Sequence, residues 1–440
     1  MRTPFGPIYF PVKAKFTIAL VCALLWAGVS IYFARAWLLD LSHYIGLWLA
    51  VIIIAGIAII PGFMNAFLIV SLLMDTRPKR VKPAVYPPIT ILTAAYNEAS
   101  SVIVTINAIA RQNYPGLMEV IVINDGSGDA TGALLDKAQQ SLSWLKVIHL
   151  PKNSGKFNAL NIGLAQASHE LIITLDADSW LYRDALKNMV ERYLDDPDNT
   201  RAVAGVVLVH NSRESWMTEA QEWDYFHGIA AIKRVQSLYQ GTLVAQGAFS
   251  LYCKKTLHEM GGWPNCVGED IVLTWAMLNA GYRIGHCEDA CVFTNVPATL
   301  QRFARQRQRW SRGMIEAFKQ YPGVLITPRL STFFIWWNLS FPLLDMIFTL
   351  AFIPGMVLAL FGHYWIAGPM TLSLIPVAML ANYLMFVTER EMFDDSGLRV
   401  RRNLKGFLIY SLGYSLIMQP VCFLGYLAEI INLKKNWGTK

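Results

Sequence analysis

Charge is what this chain has least of. Asp, Glu, Lys and Arg make up 16% of its 440 residues against 54% hydrophobic, a balance too apolar for an ordinary soluble enzyme. Gly46 to Met74 contains no charged residue, and Phe16 to Leu38 has only Arg35. Cysteine is scarce too. Of Cys22, Cys253, Cys266, Cys287, Cys291 and Cys422, only Cys287 and Cys291 lie close in sequence, and no second Cys or His pair completes a metal site. Buried reduced thiols are the reading. No segment interleaves aromatic with basic residues as a nucleic-acid module does, so the net charge of +7 points to anionic lipid and not to nucleic acid.

Long apolar runs are abundant. Ser331 to Gly362 (interrupted by Asp345), Ile366 to Val387 and Gly406 to Leu433 join the first two, and each exceeds the roughly 20 residues that span a bilayer. Between the two groups, about Arg80 to Tyr321 carries normal charge. The expected division is a membrane hairpin over 1–80, a cytosolic α/β domain over 81–296, amphipathic interface helices over 297–330, and a membrane block with a tail over 331–440. Arg2, Lys13 and Lys15 precede the hairpin and Arg77, Lys79, Arg80 and Lys82 follow it. The turn between its helices, about Asp40 to Tyr44, has no Lys or Arg, which puts both ends on the inner side of the cytoplasmic membrane. At the other end, charge opposes hydropathy. Gly406 to Leu433 lies between Arg399, Arg401, Arg402 and Lys405 on one side and Lys434, Lys435 and Lys440 on the other, and holds Gly413, Pro420 and Gly425. The expectation is four full spans, with this fifth segment returning to the cytosol.

The soluble stretch alternates β and α signals. "ITILTA" from Ile89, "EVIVIN" from Glu119, Leu145 to Leu150 and Leu171 to Leu175 read as strands, with helical stretches between most of them. That is a mainly parallel sheet, with ligands expected at the carboxyl ends of its strands. Polar residues sit at those ends: Thr93, Tyr96 and Glu98, then Asp125, then Asp176 and Asp178 in "LIITLDADSW". Two carboxylates spaced i, i+2 suit a hard cation such as Mg²⁺ or Mn²⁺; the alternative for Asp178 is a helix cap. Asp270, in Gly268-Glu269-Asp270, opens a helix that follows it. In "FARQRQRWSRG", Gln306, Arg309 and Trp310 share one helical face. Arg302, Arg305, Arg309 and Arg312 also read as a stripe gripping anionic headgroups.

Taken in order, Asp125, Asp176-Ala-Asp178, Gly268-Glu-Asp270 and Gln306-Arg-Gln-Arg309-Trp310 resemble the D, DxD, (T/G)ED and Q(Q/R)xRW pattern of membrane-bound family 2 glycosyltransferases. These include the cellulose, hyaluronan, chitin-oligosaccharide and poly-N-acetylglucosamine synthases. "NSGKFNALNIGL", from Asn153 to Leu164, is similar to that family's "N-G-K-ALN-GL" segment, and "NWGTK", from Asn436, resembles the WGT(R/K) gate of hyaluronan-type synthases. Length and helix layout resemble the poly-β-1,6-N-acetylglucosamine synthases most.

The resemblance implies a GT-A, Rossmann-like domain between flanking transmembrane helices, with a role for each matched residue. Thr93, Tyr96, Glu98 and Asp125 would hold the uracil and ribose of a UDP-sugar, with Lys156 in the same pocket. Asp176 would contact the nucleotide and Asp178 the Mg²⁺ or Mn²⁺. Asp270 would be the general base. Arg309 would hold the diphosphate, and Glu269, Gln306 and Trp310 the acceptor at a channel mouth, with Trp437, Gly438 and Thr439 as the gate. The implied partners are a UDP-sugar donor, a growing polysaccharide, membrane lipid and a small membrane accessory subunit. The segment after Gly247 contacts acceptor in the family; here it reads Tyr252-Cys253-Lys254 where relatives are Arg-rich. The expected activity is processive synthesis and export of an exopolysaccharide. A single-transfer lipid glycosyltransferase and an inactive membrane scaffold are the alternatives. The acids at Asp125, Asp178 and Asp270 argue against the scaffold, and the membrane block against a lipid acceptor.

Overall fold

Nothing in the first apolar run breaks a helix until Gly46. In the computed structural model, which describes residues 10–77, 80–395, 397–398 and 402–434, the helix Val12–Ile45 runs straight through the expected Asp40–Tyr44 turn. The chain reverses at Gly46 alone, whose φ of 81° favours glycine. Among the described residues five helices are long and apolar enough to cross a membrane: Val12–Ile45, Leu47–Leu73, Thr332–Leu360, Thr371–Thr388 and Leu404–Ile430. Wide π turns at Ala55–Ile59 and Phe348–Phe352 precede Pro61 and Pro354, where each proline removes a helical donor and crowds the preceding turn.

Eight strands build one sheet: β1 Ile89–Ala95, β2 Met118–Asn124, β3 Leu145–His149, β4 Leu171–Leu175, β5 Ser179–Leu181, β6 Thr200–Val209, β7 Phe249–Cys253 and β8 Arg283–Thr294. Their order is β3-β2-β1-β4-β7-β6-β8-β5. The first four are parallel, as expected from the β-α alternation. Beyond them β7 runs antiparallel between β4 and β6, and β5 antiparallel to β8. β1 and β4 are buried on both faces, which their near-continuous Ile, Leu and Thr runs require. The helix Val102–Ala110 covers one side by burying Val102, Thr105, Ile106 and Ile109, spaced i, i+3, i+4, i+7. Register pairs Ala95 with Asn124 and Leu92 with Thr174, so β1, β2 and β4 end along one edge.

Two helices lie between this sheet and the apolar block. One begins at Trp216 behind a Ser215–Thr218 capping box and passes through a π segment, Asp224–Ala231. The other, Leu300–Gln320, buries Phe303, Arg307, Ser311, Met314 and Ala317 as a single stripe. The last apolar helix, Leu404–Ile430, is tied to these at both ends. At its start Lys405 pairs with Glu219 at 2.8 Å and Asn403 Nδ2 donates to the Glu219 carbonyl at 2.9 Å. At its end Arg312 Nε donates to Glu429 at 3.1 Å and Lys319 Nζ to the Glu429 carbonyl at 2.7 Å. In between, Gly425 lies against Ser311 and Gln308.

Candidate active site

The edge where β1, β2 and β4 end gathers the predicted nucleotide residues. Tyr96 is exposed after β1, and Asn97 beside it takes a left-handed φ of 55°. Its side-chain oxygen accepts from Gly128 N–H at 2.9 Å, and its own N–H donates to Ser127 Oγ at 3.0 Å. The Glu98 carboxylate accepts from Ser101 Oγ at 2.7 Å, which ties it to the start of the following helix. Thr93 is buried inside β1, and its Oγ1 has no hydrogen-bond partner among the described residues. Asp125 is buried and its carboxylate is occupied. One oxygen accepts from Ser154 N–H and Oγ, both at 2.8 Å, and the other from Gly155 N–H at 2.9 Å. Gly126 allows this: a Cβ there would lie 2.4 Å from the Lys152 carbonyl carbon, and its φ is +65°.

The loop that Asp125 holds leads into the helix Lys156–Gln166, and the Lys156 ammonium donates to Asp176. Burial would lower the Lys156 pKa, but the carboxylates of Asp176, Glu269 and Asp270 outweigh it and hold it above its ordinary value. Glu269 is pushed up to about 7, first by burial and next by Asp270, with Lys156 and Arg309 opposing. These groups therefore share one crevice. Asp270 sits in the first turn of Glu269–Asn279, where Gly247 N–H donates to its Oδ2 at 3.1 Å and Ile271 N–H to its Oδ1 at 2.7 Å.

Gly247 ends a strap, Val244–Gly247, in which side chains hold five of the backbone groups, the Gly247 N–H on Asp270 among them. Lys233 Nζ donates to the Val244 carbonyl at 3.0 Å, and Thr274 Oγ1 accepts from Ala245 N–H at 2.9 Å. Tyr252 OH donates to the Ala245 carbonyl at 2.9 Å and Ser250 Oγ to the Gln246 carbonyl at 2.7 Å. Tyr252-Cys253-Lys254, the segment expected to meet an acceptor, lies further along β7. Antiparallel pairing sets Phe249 against Leu175 and Cys253 against Leu171, so Cys253 and Lys254 lie at the opposite end of β4 from the crevice. Lys254 Nζ donates there to the Ala167 carbonyl at 2.7 Å. The strap before β7 is what faces the site.

The helix carrying the QRQRW motif meets the Gly268-Glu-Asp270 turn backbone to backbone. A Cβ on Gly313 would lie 2.7 Å from Gly268 Cα, and one on Gly268 would lie 2.5 Å from Gly313 Cα. Glu316, buried, accepts from Gly268 N–H at 2.9 Å. Arg309 makes no ion pair among the described residues, and its charge reaches both Glu269 and Tyr225. Burial pushes the Tyr225 hydroxyl up to about 12, and the charges around it are Arg307, Asp224, Arg309 and Asp178, in falling order. Asp178 thus lies in the same crevice as Arg309. It does not cap a helix: β5 follows it, and Asp184 occupies the next N-cap. Gln306 Oε1 is buried without a partner among the described residues, and Trp310 is 38% exposed.

Arg307 is the residue that the sequence reading passed over. It is buried, its guanidinium lies 4.2 Å over the Trp310 ring, and its Nη2 pairs with Asp224 at 2.5 Å. Its place on the buried stripe, four residues after Phe303 and seven before Met314, is the signal that separates it from the other arginines. The expected stripe of Arg302, Arg305, Arg309 and Arg312 loses a member, because Arg312 is bound to Glu429 and to the Leu433 carbonyl at 2.6 Å. Trp437, Gly438 and Thr439 lie outside the described residues.

Among the described residues no group of three or more His, Cys, Asp or Glu could hold a metal ion alone. Asp176 is engaged by Lys156, and Asp178 supplies the second carboxylate of the DxD pair. That set fits a divalent ion which takes one carboxylate and fills its shell from water and phosphate, as Mg²⁺ commonly does.

Residues 90–261 match the family described as Glycosyl transferase family 2. The chain is 35% identical over 226 residues to the poly-beta-1,6-N-acetyl-D-glucosamine synthase of Staphylococcus aureus (strain COL), covering 51% of this chain and 54% of that protein. It is 33% identical over 249 residues to the synthase of the same name from Staphylococcus epidermidis, covering 56% and 60%. The chain thus spans little more than half the length of the curated relatives it matches. A mannosyltransferase from Pyrobaculum calidifontis, solved with GDP-Man and Mn²⁺, aligns with 96% of this chain and 100% of its own. Its TM-score is 0.54 at 17% identity, a likeness of fold, and the fold is GT-A as expected.

Proposed function

Given that the chain carries a family 2 glycosyltransferase domain, we propose that it is an inverting, processive synthase that polymerises UDP-N-acetylglucosamine into a β-1,6-linked exopolysaccharide and passes the product across the membrane. The observation that carries this reading is the contact of Gly313 with Gly268, which sets the QRQRW helix, next to the apolar block, against the turn bearing Asp270. An acceptor hydroxyl attacks C1 of the donor sugar, the C1–O bond to the diphosphate breaks, UDP leaves, and the hydroxyl proton passes to Asp270. A single base in line with C1 gives inversion. Arg309 meets the charge that develops on the diphosphate. Asp178 would hold a Mg²⁺ or Mn²⁺, which supplies further positive charge to the leaving group. Thr93, Tyr96 and Asp125 line the donor end, and the Lys156–Asp176 pair lies beside the phosphates. Glu269, Gln306 and Trp310 line the acceptor end.

The test is synthesis by purified protein from radiolabelled UDP-N-acetylglucosamine and UDP-glucose, with products sized on a gel. Long polymer from the first donor alone is expected. A single labelled lipid, or polymer from UDP-glucose only, would replace this reading. Trp310 supplies an apolar face for a sugar ring. Trp310→Ala is therefore expected to stop elongation while UDP-sugar hydrolysis persists at a reduced rate, measured as UDP release alongside polymer.

The attachments at both ends of Leu404–Ile430 support a path that returns this helix to the cytosolic side, leaving four full spans. A Lys434→Cys variant without the native cysteines should resist a membrane-impermeant thiol reagent on intact cells and react after permeabilisation. Labelling from outside would mean five spans and no gate at this end.

A further inference from the structure

We propose that Arg307, Asp224 and Tyr414 form a clasp that sets the plane of the Trp310 indole and so decides whether activated sugar goes to an acceptor or to water. The inference rests on the reading of Trp310 as the acceptor platform. Arg307 Nη2 and Asp224 pair at 2.5 Å with side chains only 6% and 7% exposed, and Tyr414 OH donates to the same Asp224 oxygen at 3.1 Å. The guanidinium lies 4.2 Å over the Trp310 ring, with the Phe303 ring at 5.2 Å and the Tyr225 ring at 5.9 Å around it. It covers one face of an indole that remains 38% exposed, which leaves the other face for a sugar.

The three residues come from three separate elements. Asp224 opens the π segment Asp224–Ala231, Arg307 belongs to the QRQRW helix, and Tyr414 closes a second π segment, Tyr410–Tyr414, in the last apolar helix. π turns are uncommon and concentrate at functional positions. The two segments touch here: the His227 and Tyr410 rings stack at 6.0 Å, and a Cβ on Gly228 would lie 4.0 Å from the Tyr410 hydroxyl. An apolar trio of the same volume would hold three helices together as well as a buried ion pair does. A planar guanidinium fixed by a carboxylate does something an apolar trio cannot: it orients the ring stacked on it. The clasp residues are positioning residues, because none touches the reacting atoms.

The test measures UDP release and polymer formation by the full chain, for wild type, Trp310→Ala, Tyr414→Phe, Asp224→Asn and Arg307→Lys. For Asp224→Asn and Arg307→Lys the ratio of hydrolysis to transfer should rise about tenfold or more, with total UDP release kept within about threefold. Tyr414→Phe should shift the ratio in the same direction by less. Asp224→Asn leaves a buried cation unpaired; if it does not fold, the charge-neutral double variant Asp224→Asn/Arg307→Gln takes its place, with the same expected ratio. An unchanged ratio in the clasp variants, beside a raised ratio in Trp310→Ala, overturns the clasp and leaves the acceptor platform standing. An unchanged ratio in Trp310→Ala overturns the platform and the clasp with it.

Discussion

Asp270→Asn should lower sugar transfer by roughly 10²- to 10⁴-fold while the protein stays folded and binds UDP as before. Gly247 N–H and Ile271 N–H donate to different oxygens of this carboxylate, so an amide keeps one of the two bonds and remains tethered. It cannot accept the acceptor's proton. Asp178→Asn, by contrast, should abolish transfer and also weaken UDP binding in Mn²⁺, since the lost carboxylate is the one proposed to hold the metal. Radiometric transfer, with calorimetric titration of UDP in the presence of Mn²⁺, separates the two. Wild-type turnover by Asp270→Asn would remove it as the base, and Mn²⁺-dependent UDP binding unchanged in Asp178→Asn would remove the metal assignment.

Gly313→Val is expected to cost about 1–3 kcal/mol of stability and to cut transfer by about 100-fold, although residue 313 touches no substrate. The Cβ position at 313 lies 2.7 Å from Gly268 Cα, backbone against backbone, so neither side can yield by turning a side chain. The helix must move off the Gly268-Glu-Asp270 turn, taking Arg309 with it and stretching the bond between Glu316 and Gly268 N–H. Gly313→Ala should show a smaller loss in the same direction. Thermal melting and transfer assays check both variants; a Gly313→Val protein with unaltered melting and turnover would mean the contact sets nothing.

The half of the sheet that could be read in advance is the half whose signals are local. β1 to β4 are short apolar runs separated by helices, β1 and β4 are buried on both faces, and β1, β2 and β4 lead into polar residues along one edge. β5 to β8 obey no such pattern. β7 inserts antiparallel between β4 and β6, a pairing made by residues more than forty positions apart, and that insertion carries the strap of Val244–Gly247 to the site. The chemistry-bearing acids were legible because a carboxylate at a strand end or helix start is conspicuous in an apolar chain. Arg307 was not, because in sequence it is one arginine among several. Only the buried stripe of its helix, fixed by packing against Asp224 and Tyr414, sets it apart.

Asp125 keeps its carboxylate occupied by Ser154 and Gly155, and this bears on how fast the enzyme can turn over. A nucleotide base that takes Asp125 exchanges places with those donors and does not fill an empty seat. The loop it displaces leads directly into Lys156, which is held to Asp176. On the proposed reading, arrival of donor at one end of the pocket would loosen the charge pair at the other, and departure of spent UDP would be assisted by the loop closing back onto Asp125. Such a swap keeps net affinity modest, since the bonds gained replace bonds already made. If the chain is the synthase proposed above and sheds UDP after every sugar, a self-occupied pocket means that emptying the site need not become the slow step.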